Sequence, residues 1–267
     1  MLLTVAYSPC PNDTFMFHAL ATGSLGLEGH EIQTHLHDVE TLNQKALAGV
    51  YDVTKVSFPA YFRVRAAYRL LDAGAAVGFG CGPIVVAKRD TLPTDVGRLR
   101  VAVPGELTAA YLLLRLWAPQ VRDFLMVPYH QIMDLVAKGE ADCGVLIHEG
   151  RFVYAQAGLR CVADLGQWWQ ERTGLPIPLG CIVARRSLGD ETIRRFEETL
   201  RLAIRHSLDH PQDTADYVRR HAQEMDPETL QKHIRTFVNE FSLDLGPRGH
   251  EAVARLQELA EQAGALA

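Results

Sequence analysis

Short apolar runs recur along this chain, and each gives way within a few residues to a helical pattern. Leu2-Leu3-Thr4-Val5-Ala6-Tyr7 is the first. Helical spacing follows over 13–22, with Asn12 or Asp13 as its cap. Glu31 to His37 alternates as a strand, and 39–48 reads as a helix ending at Gly49. Tyr51 to Val56 is a third strand, ended by Ser57, with Pro59 placed for the first turn of another helix. Strands separated by helices at this spacing specify an α/β fold with a mostly parallel sheet.

The pattern then restarts. A glycine-broken β region runs from Ala75 to Lys88, followed by a polar break holding Pro93 and Gly97. Strands are expected at Leu99–Val103, 123–127 and Asp142–Ile147, and helices at Ala109–Ala118 and Tyr129–Lys138. This marks a second α/β unit beginning near residue 91. The strand at 176–184 shares the Gly/Pro-led apolar texture of 82–87. Beyond it the chain is helical, with Asp190 and Asp226 as helix starts and Phe196, Leu200 and Ile204 on one face. The two matching strands read as the crossings between two lobes. The expected division is a larger lobe of residues 1–90 plus 181–267, with the C-terminal helices, and a smaller inserted lobe of 91–180. A ligand cleft lies between them.

Composition narrows the function. With 267 residues, 48% of them hydrophobic, the chain can build one large core or two modest ones. A net charge of −5 with no basic patch argues against a nucleic-acid partner. No apolar run approaches the ~18 residues of a membrane span. The N-terminus enters a strand without the basic segment of a secretory leader, so a cytoplasmic location is expected, with a monomer favoured. The five cysteines are widely spaced and form no C-x-x-C. A disulfide framework or zinc site is not expected. Cys81, Cys143 and Cys181 read as buried apolar residues, whereas Cys10 sits in a turn. His35 and His37 alternate on a strand but lack a third ligand, so no metal site is assigned. Walker, dinucleotide-binding, zincin and nucleophile-elbow motifs are absent.

In a parallel α/β sheet, ligands bind outside the carboxyl ends of the strands. The candidate loops are therefore Ser8 to Thr14, Lys55-Val56-Ser57, Gly105 to Ala109, and His148-Glu149-Gly150. Ser8, Asn12 and Asp13 belong to a stiff two-proline turn that opens a helix, where free amides favour an anion or polarised oxygen. Thr108 and Ala109 open another helix in the same way. A plain capped turn is the alternative at both places. Lys55 can pair with an acidic ligand. His148 ends a buried strand, well placed for proton transfer near neutral pH, with a structural histidine as the alternative.

The segments Ser8-Pro9-Cys10-Pro11-Asn12-Asp13-Thr14-Phe15, Asp38-Val39-Glu40-Thr41-Leu42-Asn43 and Thr54-Lys55-Val56-Ser57 form a distinctive set. Val101-Ala102-Val103-Pro104-Gly105 with Thr108, and Leu146-Ile147-His148-Glu149, belong with them. So do Trp168 to Pro176 and Asn239 to Asp244. Together they resemble the 1,4-dihydroxy-6-naphthoate synthases of the futalosine route to menaquinone, over nearly the whole chain. The resemblance implies a type II periplasmic-binding-protein-like fold of two α/β lobes, used by a cytoplasmic lyase. It implies conversion of cyclic dehypoxanthinyl futalosine to 1,4-dihydroxy-6-naphthoate with release of the sugar-derived fragment. The substrate carries a carboxylate and a sugar-derived ring, and no metal or organic cofactor is expected. His148 matches the family's proton-accepting histidine. Lys55, Val56 and Ser57 match one substrate-contact segment, and Thr108 with Ala109 the other. Gly105 to Leu107 departs from the family pattern, which leaves that contact less defined. A non-catalytic binding protein, and a sister enzyme that dehydrates chorismate, are the competing readings of the same fold. A transport receptor would need a secretion signal and a regulator a DNA-binding domain. The context of His148 and the string at 8–15 favour the naphthoate synthase.

Overall fold

The computed structural model describes residues 1–148, 150–222 and 226–266. The elements β1 (Leu2–Tyr7), α1 (Pro11–Ala21), β2 (Glu31–Leu36), α2 (Val39–Leu47), β3 (Val53–Ser57), α3 (Phe58–Val64), β4 (Tyr68–Leu70) and β5 (Ala76–Gly78) come first. Next are β6 (Ile84–Ala87), β7 (Val101–Val103), α4 (Ala109–Trp117), β8 (Phe124–Met126), α5 (Tyr129–Lys138), β9 (Cys143–Leu146), α6 (Gly150–Val153), β10 (Arg160–Asp164) and α7 (Leu165–Thr173). The long strand β11 (Ile177–Arg185) leads into α8 (Asp190–Asp209), α9 (Pro211–His221), α10 (Pro227–Phe237), α11 (Glu240–Leu243) and α12 (Gly246–Gln262).

Two sheets result. The first has the order β2-β1-β3-β11-β4, with β5 also paired to β11; the second runs β10-β6-β9-β7-β8. Within each sheet the strands joined by helices are parallel: β1 with β2 and β3, and β7 with β8 and β9. The strands next to the lobe crossings are antiparallel, β11 to β3 and β6 to β9 and β10. A helical crossover forces parallel pairing, whereas a strand arriving from the other lobe is free to run either way. The expected parallel sheet is therefore mixed. The expected division at residue 90 also shifts, because pairing puts Ile84–Ala87 in the second sheet. Its apolar run, buried on both faces, gave no sign of which sheet it would join.

Local chemistry explains most helix starts. Asp38 caps α2 by accepting from the amides of Glu40 and Thr41, and Asp226 caps α10 through Glu228 and Thr229. The start of α1 differs from expectation. Pro11 is its first helical residue and Cys10 holds the cap position without a side-chain bond. Proline's fixed φ and missing N–H suit that position, which pushes Asn12 and Asp13 into the first turn and frees their side chains. Phe196, Leu200 and Ile204 of α8 pack with Phe15, Phe17 and Leu20 of α1, as the spacing predicts. A second apolar cluster runs from Val56 and Phe58 in the first lobe to Val103 and Leu113 in the second. The lobes thus share packed core at their junction. Cys81, Cys143 and Cys181 are buried free thiols, Cys161 is an exposed one, and Cys10 is buried in its turn. Among the described residues no helix is long and apolar enough to cross a membrane.

Candidate active site

A cleft with about 670 Å³ of empty space, mouth included, opens where the carboxyl ends of β1, β3, β7 and β9 converge. That volume suits a small organic ligand. Ser8, Asn12, Asp13, Lys55 and Ser57 line it from the first lobe; Thr108, Ala109 and His148 line it from the second. The structure brings together every expected site residue except Val56. Strand alternation turns Val56 to the opposite side, where it is wholly buried in the core. Glu149, in the expected loop after β9, lies outside the described residues.

The first-lobe wall is built round Asp13. Its Oδ1 accepts from Lys55 Nζ at 2.6 Å and from Asn12 Nδ2 at 2.9 Å. Its Oδ2 accepts from Ser8 Oγ at 2.6 Å and from the Ser8 amide at 3.2 Å. Carboxylate and ammonium are both almost fully buried, so the pair stands on these bonds rather than on water. A Cβ at Gly180 would come 2.9 Å from Lys55 Cε, so glycine there gives the lysine stem its path across β11. Asn43 sets Ser57: its Oδ1 accepts from the Ser57 amide at 2.8 Å and its Nδ2 donates to Ser57 Oγ at 3.3 Å.

The second-lobe wall begins at α4. Thr108 Oγ1 accepts from the Tyr111 amide at 3.2 Å and donates to the Gly105 carbonyl at 2.7 Å. The next amides, of Ala109 and Ala110, are among those a helix start cannot pair internally. Glu40 of α2 reaches this loop from the first lobe, its Oε2 accepting from the Leu107 amide at 3.3 Å. Burial pushes the Glu40 carboxyl above its usual pKa. Gly105 has φ +141°, and a Cβ there would fall 2.4 Å from Glu40 Cγ. Gly105→Ala is therefore expected to destabilise the protein by about 1–3 kcal/mol, since only glycine tolerates this backbone region. A thermal melt unchanged from wild type would show that the loop can move clear of Glu40.

His148 follows β9 with φ +54°, the one non-glycine residue with positive φ among the described residues. Such outliers persist where surrounding contacts hold them. Cys10 Sγ lies 3.3 Å from Nδ1 and 3.5 Å from Nε2 of this ring. The Tyr129 ring meets it edge-on at 4.9 Å. The imidazole of His148 is therefore clasped by groups from both lobes at the cavity wall.

Sequence reasoning missed His233. It is wholly buried on α10 and lines the cavity. The signal was available: Leu230, His233 and Phe237 share the buried face at helical spacing. Burial, with the charges of His148 and Lys55 adding to it, pushes the His233 pKa down to about 3. Pro83 and Gly180, from the two crossings, also line the cavity. Among the described residues no group of three His, Cys, Asp or Glu side chains is arranged to hold a metal.

Two α/β lobes closing on one cavity define the class of periplasmic-binding-protein-like folds. A Candida albicans protein described as having the generic periplasmic binding protein fold superposes with TM-score 0.76 at 16% identity, over 100% of this chain and 91% of that one. A crystal structure of an Archaeoglobus fulgidus protein superposes with TM-score 0.92 at 37% identity, over 98% of each chain. A family model described as menaquinone biosynthesis matches residues 3–262. The 1,4-dihydroxy-6-naphthoate synthase of Thermus thermophilus is 49% identical over 99% of this chain and 96% of the relative. The chain belongs to this menaquinone-biosynthesis family and is an enzyme of it.

Proposed function

We propose that this enzyme converts cyclic dehypoxanthinyl futalosine to 1,4-dihydroxy-6-naphthoate, with His148 as general base. The observation that carries the reading is the placement of His148, held in an uncommon backbone conformation at a strand end. It shares one cavity with a buried ammonium and the start of α4. The substrate's carboxylate suits the amide-rich start of α4, Ser57 and Lys55. His148 removes a proton next to a carbonyl; ring opening and elimination then release the sugar-derived fragment. Aromatisation of the second ring supplies the driving force. Apposed lobes exclude water and hold the reacting geometry. The reaction in this form calls on no metal or organic cofactor, and the enzyme works in the cytoplasm as a monomer.

The direct test is incubation of the purified protein with cyclic dehypoxanthinyl futalosine, with chromatography for the naphthoate. Absence of product under conditions where the protein is folded would overturn the reading. Thr108→Ala is expected to raise KM roughly tenfold, from the loss of a substrate contact and of order in the first turn. It should also lower stability by about 1 kcal/mol through the lost cap. An unchanged KM would remove Thr108 from the substrate contacts.

A further inference from the structure

The hydrogen-bond chain behind the cavity decides which nitrogen of His233 carries its proton. His233 Nε2 lies 3.1 Å from Asn12 Oδ1. Asn12 Nδ2 donates to Asp13 Oδ1 at 2.9 Å. The Asp13 carboxylate, which also takes the Lys55 ammonium, can only accept. Asn12 must therefore give it the NH2 group and turn its oxygen toward His233. Nε2 of His233 is then the donor, and the neutral ring keeps a bare lone pair on Nδ1. That Nδ1 is buried and has no hydrogen-bond partner among the described residues.

Buried polar atoms without partners are rare, and each one needs a reason. Protonation does not supply one here, because burial and the nearby His148 and Lys55 disfavour the imidazolium. The location does supply one: His233 is part of the cavity wall. Its ring lies near parallel to that of His148, with centroids 6.3 Å apart and an angle of 26° between planes. Both rings line the same cavity. A fixed acceptor at this place repels a carboxylate and selects a hydroxyl.

Resting on the function proposed above, we propose that His233 Nδ1 accepts a hydrogen bond from a hydroxyl of the substrate's sugar-derived ring, next to the carbon that His148 addresses. The Asp13–Asn12 chain sets the tautomer that makes this possible. His233 thereby selects the hydroxylated substrate and orients it for proton removal, while His148 carries the proton chemistry.

The test combines two variants with nitrogen NMR. His233→Phe keeps a ring in the buried site and removes both nitrogens. It is expected to lower kcat/KM about 10- to 100-fold. His233→Asn can place an amide oxygen where Nδ1 stood, and should recover much of that loss. In the slowly reacting His148→Ala variant, nitrogen NMR should show His233 as the neutral Nε2–H tautomer near neutral pH. Saturation with cyclic dehypoxanthinyl futalosine should shift the Nδ1 resonance in the direction of hydrogen-bond acceptance. Equal losses in folded Phe and Asn variants would reduce His233 to packing and overturn the assignment. An Nδ1 resonance unmoved by saturating substrate would do the same, and decides alone if the phenylalanine variant fails to fold. Turnover by wild type with either of these results overturns the assignment only. A wild type that leaves the substrate untouched overturns the underlying function and the assignment with it.

Discussion

His148→Ala is expected to stay folded and to lose about 10²- to 10⁴-fold in kcat, the usual weight of a positioned general base. The residue sits after β9 and makes its contacts at the cavity wall, with Cys10, Tyr129 and His233 round the ring. Removing the ring takes no brace from either sheet. One complication is the backbone. At φ +54° alanine has no advantage, whereas asparagine visits this region more readily than most residues. His148→Asn is therefore the conformational control: it keeps the turn and lacks a basic nitrogen. Both variants should lose turnover alike while melting within a few degrees of wild type. Added imidazole should restore part of the rate to the alanine variant, which has room for it. A folded His148→Ala enzyme with near-wild-type kcat would sink the base assignment.

Much of this site was legible because its residues follow from position along the chain. In an α/β sheet the carboxyl end of each strand faces the cleft, so finding β1, β3, β7 and β9 already nominates Ser8, Ser57, Thr108 and His148. Val56 was nominated as part of a segment, and the two-residue period of a strand turns its side chain into the core. What stayed hidden came from elements whose place depends on tertiary packing. His233 reaches the cavity because α10, more than two hundred residues after α1, packs beside it and meets Asn12. Helical spacing puts that histidine on the buried face of α10 with Leu230 and Phe237, but nothing local says that this face meets the cavity. The placement of Ile84–Ala87 in the second sheet was hidden for a similar reason. Strand pairing across a lobe junction is decided by where the chain arrives, and a uniformly apolar strand carries no mark of its partner. The cap of α1 was misplaced because two good capping residues follow a proline, and the proline took the start.

Lys55→Met is expected to cost about 3–5 kcal/mol of stability, since it strands a buried carboxylate. Asp13 and Lys55 are only 1% and 5% exposed, and their 2.6 Å contact crosses from α1 to β3. With the ammonium gone, Asp13 retains its bonds from Ser8 and Asn12 but has no opposing charge in contact. Asp13→Asn should be similarly harmful, because it leaves the ammonium in the same dry wall. In the double variant neither charge remains, and burying two neutral groups of similar volume is far less costly than burying one unpaired ion. The double variant should therefore be more stable than the sum of the single losses implies, by a coupling of about 1–3 kcal/mol. Denaturant unfolding of the four proteins measures this directly. Activity should not return with stability. The double variant still lacks the cation offered to the substrate carboxylate. The amide that replaces the Asp13 carboxylate also has one acceptor oxygen in place of the two that hold Ser8 and Asn12. Strictly additive losses would show that the two charges are stabilised independently, each by its own hydrogen bonds. A double variant that recovered turnover as well would show that the pair serves the fold alone.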